Sequence, residues 1–355
     1  MRRMNVRAYL LAAILGVQSA CGGGGGGDAG NVSSSVAGDP ASTAPPTPAP
    51  SVGVPFVCAP AANQPGSNPG GIEGTGRGVA KKLTNLMVAG QAWDIGHASI
   101  LIDGQPATSE QIVDGLITTV QGTIAPTAMG TADSVVSETR VAGPIASVSS
   151  AANQLIVLGQ TVALTPHTQM DVSPAALAAG DTIAINALVT ANGTLVATRL
   201  APRAADLEYV VTGTVSSLDD SSHRFQINAL TVDYSGVVPQ GFPTGIIHDG
   251  DLVRVFGLLG GGSTTLSARD VEFRFATLPG QVGELIALYG YITRFVSNAD
   301  FDVDSVPITW SGVNAPSAVI GASGPLALND VVYVCGTLLS NGEVAATQVF
   351  LTWDY

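Results

Sequence analysis

Lysine is almost missing from this chain. Only Lys81 and Lys82 occur, side by side, and charged residues make up 12% of the 355 residues. Fourteen basic residues face 27 acidic ones, for a formal net charge of −13. That balance argues against nucleic acid as a partner, because gripping phosphates takes clustered Lys and Arg. Aromatics are scarce at 5%. Even so, the low charged fraction and a mean hydropathy of +0.35 exclude a chain disordered throughout. Catalytic and cofactor motifs are missing too. There is no GxSxG elbow, CxxC, Walker loop or HExxH, and no GxGxxG after a strand. Beyond the N-terminus no run of about eighteen apolar residues occurs, so no transmembrane helix is expected.

What is present begins with an address. Arg2, Arg3 and Arg7 precede an apolar stretch, AYLLAAILGV, from Ala8 to Val17. It is too short to span a bilayer, which needs roughly twenty residues. Ser19 and Ala20 then precede Cys21 and the run CGGGGGGDAG. The pattern resembles a bacterial lipoprotein signal peptide over residues 1–20, with Cys21 as the lipidated (palmitate-bearing) residue. Gln18 departs from the aliphatic residue usual at that place. The alternative is an ordinary secretory signal cleaved near Ala20. Gly22 stands where the inner-membrane retention signal has Asp, so the resemblance implies the outer membrane of a Gram-negative envelope. Removing residues 1–20 takes away three arginines and no acid, leaving 11 basic and 27 acidic residues, a net of −16. So negative a protein will not adhere to anionic headgroups by charge, and its attachment should rest on the lipid.

Residues 21–71 read as a disordered tether. Gly, Ser, Ala and Pro dominate, and ASTAPPTPAPSVGVP favours a semi-rigid polyproline II spacer.

From residue 72 the chain repeats. A Gly-Asp-apolar-x-apolar-x-Gly motif reads GDLVRVFG at 250–257 and NDVVYVCG at 329–336. GDTIAINA at 180–187 is a weaker copy, and DGLITTVQG at 114–122 fits with a register shift. The closing positions are Gly122, Ala187, Gly257 and Gly336. A candidate strand precedes each copy and another follows, which divides the chain into units at 72–137, 138–206, 207–276 and 277–355. Along each motif strand one face carries Thr118 and Val120, Ile183 and Ile185, Val253 and Val255, Val332 and Val334. This consistently apolar face should point inward. The other face is mixed, with Arg254, Asn186, Tyr333 and Cys335 among its members. Segments at 108–115 and 173–181 have room for one helical turn, with Ser173 as N-cap before Pro174. Three strands, a short helix or loop, then two strands is the order of an OB-like barrel. The expected fold is all-β: about four tandem small five-stranded OB-like barrels or open sheets, packed on one another.

The opening GIEGTGRG at 71–78, the Gly-Asp strand and the closing NGxxxA pattern resemble the bacterial domain-of-unknown-function 5666 family. The resemblance covers roughly 72–351 and is better in the third and fourth units. It implies a secreted or envelope-anchored β protein and supplies no catalytic residue or cofactor.

Candidate chemistry is thin. His97, His167, His223 and His248 each have an Asp nearby but are spread over three units with no two closely spaced, and solvated loop positions are the simpler reading. DFDVD at 300–304 would place Asp300, Asp302 and Asp304 on one strand face. That is a weak calcium candidate against the alternative of an acidic face that discourages edge pairing. With Cys21 assigned to lipid, Cys58 and Cys335 form an even pair, a disulfide candidate in an oxidising envelope. The expected function is a non-catalytic, envelope-anchored lipoprotein that binds or scaffolds an envelope protein or glycan. The alternative is a cation or small-molecule binder using acidic strand faces.

Overall fold

The computed structural model describes residues 58, 71–125, 129–205, 207–260, 264–275, 277–310 and 326–352. The signal segment, Cys21 and nearly all of the tether lie outside the described residues.

The first strands of the four units are Ile72–Val79 (continuing as Lys81–Lys82), Val141–Ser149, Tyr209–Thr214 (continuing as Ser216–Asp219) and Leu285–Ser297. Second and third strands form tight hairpins: Leu86–Val88 with Gln91–Asp94, Gln154–Val157 with Gln160–Ala163, Arg224–Ile227 with Leu230–Asp233, Asp300–Val303 with Val306–Thr309. The fourth strands are Ile117–Ile124, Thr182–Val189, Leu252–Leu259 and Val331–Leu338. The fifth are Met129–Ser137, Leu195–Pro202, Thr265–Phe273 and Val344–Thr352. In every unit the first strand pairs antiparallel with the second and with the fourth. The fourth pairs antiparallel with the fifth. The third lies parallel to the fifth. The ladder closes on itself, so each unit is a barrel of OB-like strand order. The open-sheet alternative is thereby set aside.

The repeated motif has a local cause. Gly115, Gly180, Gly250 and Asn329 all have positive φ, a conformation that favours Gly and tolerates Asn. Their amides donate to Ala80, Ile145, Val215 and Ile292, and the amides of those residues donate back to Leu116, Asp181, Asp251 and Asp330. This reciprocal pair ties the loop to the first strand identically in all four barrels. Asp181, Asp251 and Asp330 also accept from the amide three residues earlier, at 2.8, 2.7 and 2.7 Å. Barrel 1 has Leu116 at this place, which is the register shift seen in its sequence.

The closing glycine marks a β-bulge between fourth and fifth strands. A Cβ on Gly122, Gly257 or Gly336 would lie 2.1, 2.3 or 2.4 Å from a carbonyl oxygen of the facing strand. Ala187 occupies the same bulge in barrel 2. The inward face is as expected, with Thr118, Val120, Ile183, Ile185, Val253, Val255, Val332 and Val334 all buried. The helical slots hold single 3-10 turns at Ser109–Gln111 and Pro174–Ala176, the latter with Ser173 as N-cap.

The barrels pair as 1 with 4 and 2 with 3. Gly74–Arg77 runs parallel to Leu285–Leu288, and Val141–Ala142 pairs antiparallel with Val210–Val211. The core of barrels 2 and 3 is one continuous apolar cluster. A second cluster joins barrel 1 to Leu188 of barrel 2 and to Leu285, Ala287 and Tyr289 of barrel 4. Polar links complete the contacts. Thr198 Oγ1 donates to Gly115 O at 2.6 Å, and Ile117 N donates to Asn186 Oδ1 at 3.0 Å. Arg254 Nη1 donates to Glu138 at 2.7 Å and its Nη2 to Asp103 at 2.5 Å. Hence the mixed outer face: part of it is interface, and Arg254, Asn186 and Cys335 are buried there.

Cys335 and Cys58 are joined by a disulfide spanning 277 residues. Both sulfurs are inaccessible to solvent, and they lie in the cluster shared by barrels 1 and 4.

Candidate functional site

The expected acidic face requires correction. Only Asp300–Val303 is strand, and Asp304 begins a turn with φ of 48°. The backbone reversal aims Asp304 away from its neighbours, to Arg77 of barrel 1 at 2.7 Å. Asp300 and Asp302 are bridged by Arg294 at 2.6 and 2.7 Å, and the two carboxylates hold the Arg294 pKa above its ordinary value. The three carboxylates therefore do not converge, and two already share a cation. All four histidines are exposed, one each in barrels 1 and 2 and two, His223 and His248, on separate loops of barrel 3. His248 lies 3.7 Å from Asp251, and His223 packs edge-on against Tyr234. Among the described residues no group of three or more His, Cys, Asp or Glu could hold a metal ion.

A cleft not anticipated from the sequence opens where barrels 1, 2 and 4 meet. It measures 410 Å³. Its aromatic wall is the Tyr289–Tyr333 pair, directly opposite on the first and fourth strands of barrel 4, with ring centroids 4.6 Å apart and planes at 44°. Tyr289 is buried and Tyr333 half-buried. Burial pushes the Tyr333 phenol above its usual pKa, so it stays a neutral hydroxyl at physiological pH. The pair can sit there because Gly78 of barrel 1 faces it: a Cβ on Gly78 would lie 2.9 Å from Tyr289 Cβ.

Barrel 1 supplies Lys81, Met87 and Asp114 to the cleft, and barrel 2 supplies His167 and Gln169. The Asp114–Gly115 corner is held from several sides. Asp114 Oδ1 accepts from Lys82 N at 2.6 Å, and its carbonyl accepts from Arg199 Nη1 at 3.1 Å. Gly115 sits at φ of 87° against Thr198, whose carbonyl oxygen leaves only 2.5 Å for a Cβ. The walls are thus set before any ligand arrives, which lowers the ordering cost of binding. The half-buried Tyr333 ring, backed by Tyr289 and flanked by a few hydrogen-bonding groups, suits a sugar ring or an extended peptide.

Residues 142–201 match a family model described as Domain of unknown function (DUF5666). The match runs from the first strand of barrel 2 to its fifth, so the family unit corresponds to one barrel. It falls on the second unit, whereas the resemblance read from the motifs is better in the third and fourth. No curated protein matches the chain. A solved structure of drosophila Unr CSD456 is similar at 13% identity and a TM-score of 0.16, over 60% of this chain and 97% of that one. Likeness at that TM-score carries no argument about fold or ligand.

Proposed function

We propose that the protein is a non-catalytic lipoprotein of the Gram-negative cell envelope, anchored through Cys21. Its four-barrel body would bind an envelope glycan or extended peptide in the Tyr289–Tyr333 cleft. The observation that carries the binding part is the cleft itself, an aromatic wall and a fixed polar corner contributed by three barrels. The anchoring part rests on the charged, apolar and small-residue order of residues 1–20 before Cys21 and its glycine run. Gly22, at the place where the resembled signal has Asp for inner-membrane retention, supports the outer membrane over the inner. The net charge of −16 after processing favours cationic or neutral partners over nucleic acid.

Two measurements test it. In the native host, Cys21→Ser should abolish palmitate labelling and release the protein from the membrane fraction. Continued labelling would refute the anchor. In a binding assay against fragments of the envelope glycan and against envelope peptides, Tyr333→Ala should weaken retention of the bound class about tenfold or more while the circular dichroism spectrum is kept. Removing one aromatic face costs on the order of 1–2 kcal/mol, which is about that factor. Retention unchanged in Tyr333→Ala would move binding away from the cleft.

A further inference from the structure

A second, smaller cavity of 130 Å³ lies where all four barrels meet. Its wall includes Arg77 of barrel 1, Arg140 at the entrance to barrel 2, Thr212 and Arg274 of barrel 3, and Asp304 of barrel 4. Three guanidiniums and two carboxylates line it, the fifth group being Glu138.

The carboxylates are already engaged. Asp304 takes Arg77 at 2.7 Å. Glu138 takes Arg254 at 2.7 Å and Arg274 at 3.0 Å. Arg274 has a further partner in Glu272 at 2.8 Å. Arg140 has none: no hydrogen bond or ion pair joins its guanidinium to another described residue, and its Nε is buried without an acceptor. Desolvation is the main influence lowering its pKa, Arg77 acts in the same direction, and Asp304 and Glu138 oppose them. A guanidinium remains charged under such a shift. With Arg254, Asp103 and Glu272 behind the wall the cluster holds four guanidiniums and four carboxylates, and within it Arg140 is the guanidinium with unused donors. Arg140 is half-buried with its Nε fully enclosed, and a partly desolvated charge without a partner is stabilised by supplying one.

We propose that Arg140 holds a small oxyanion, a phosphate or a short carboxylate, in the cavity where the four barrels meet, and that this anion fastens the barrels together. The planar fork of Arg matches two oxygens of either group. The volume is room for roughly four waters, enough for an anion of that size. The Thr212 hydroxyl stands ready as a further donor from barrel 3. This inference does not depend on the Tyr289–Tyr333 cleft.

The test is thermal unfolding of the full chain in phosphate, in acetate and in chloride at matched ionic strength, with isothermal calorimetry on the wild type. Binding to the folded state alone raises the midpoint and saturates. Phosphate or acetate should raise it about 3 °C or more above chloride, and which of them does so identifies the oxyanion. Arg140→Gln should abolish that increment. Arg269→Gln, at the exposed Arg269–Glu208 pair, should retain it. If Arg140→Gln does not fold, Thr212→Val, at the cavity wall, should weaken the wild-type calorimetric affinity about tenfold. An equal gain in Arg140→Gln and wild type would overturn the proposal. So would the absence of any saturable heat or midpoint gain in the wild type.

Discussion

Replacing both Cys58 and Cys335 by alanine should lower the stability of the protein by about 5 kcal/mol, a fall of roughly 10–15 °C in the melting midpoint. The size follows from the length of the closed loop. The bond links residues 277 apart, so it encloses most of the chain that forms the barrels. In the unfolded state it removes the loop-closure freedom of that whole segment, and this cost rises with the logarithm of loop length. Alanine is the right replacement because both positions are fully buried, where a serine hydroxyl would need a partner of its own. The same burial sets a kinetic expectation. A reductant at native pH should leave the bond intact until the protein unfolds, then break it rapidly in denaturant. Calorimetry of the double variant checks the first expectation, and thiol labelling over time checks the second. A double variant melting within about 2 °C of the wild type would mean that the parallel pairing of barrels 1 and 4 already restrains the chain as tightly as the cross-link does.

The barrel was legible in the sequence because its most constrained backbone positions recur. Gly115, Gly180, Gly250 and Asn329 share one left-handed turn, and the position seven residues later shares one bulge. Both constraints act through local geometry, so they leave the same letters at the same spacing in every unit. The hairpins were less visible. Ala89–Gly90, Leu158–Gly159 and Asp304–Ser305 place both turn residues at positive φ, yet Ala and Leu are unusual at the first position and Asp304–Ser305 lacks the glycine that marks such a turn. Asp304 misled for that reason: strict alternation put it on a strand face, and the turn sent it to Arg77.

The interfaces and the candidate sites left still less trace. Arg254, Asn186, Tyr333 and Cys335 occupy the outward face of their fourth strands, which in a solitary barrel would be wet. Which outward positions are covered depends on how the barrels associate, and periodicity within one strand carries no information about that. Arg140 sits between units and belongs to no repeat position, and its unpaired state exists only once four barrels converge on it. The cleft likewise takes residues more than two hundred positions apart, from Lys81 to Tyr333.

The last prediction concerns Trp93, which no repeat comparison singles out. Its side chain is fully buried in barrel 1, on the third strand. Room for the indole comes from two glycines. A Cβ on Gly130, paired with Trp93 across the parallel ladder, would lie 2.4 Å from the ring, and one on Gly76 would lie 3.1 Å from Nε1. Trp93→Ala should therefore be costly, because the neighbours have no side chains to collapse into the space. Such truncations cost about 3–5 kcal/mol. One term offsets part of this: the Trp93 Nε1 hydrogen has no acceptor, a penalty of about 1 kcal/mol that the variant escapes. The net expectation is about 2–4 kcal/mol, or roughly 5–12 °C in the midpoint. Trp93→Phe discards the unpaired donor while keeping most of the volume, and should fall within about 1.5 kcal/mol of wild type. Barrel 1 shares a ladder with barrel 4 from Gly74 to Arg77, so the loss should move a single calorimetric transition downward. A transition that split in two, with only one part displaced, would show that the four barrels unfold as separable units despite the pairing between their first strands.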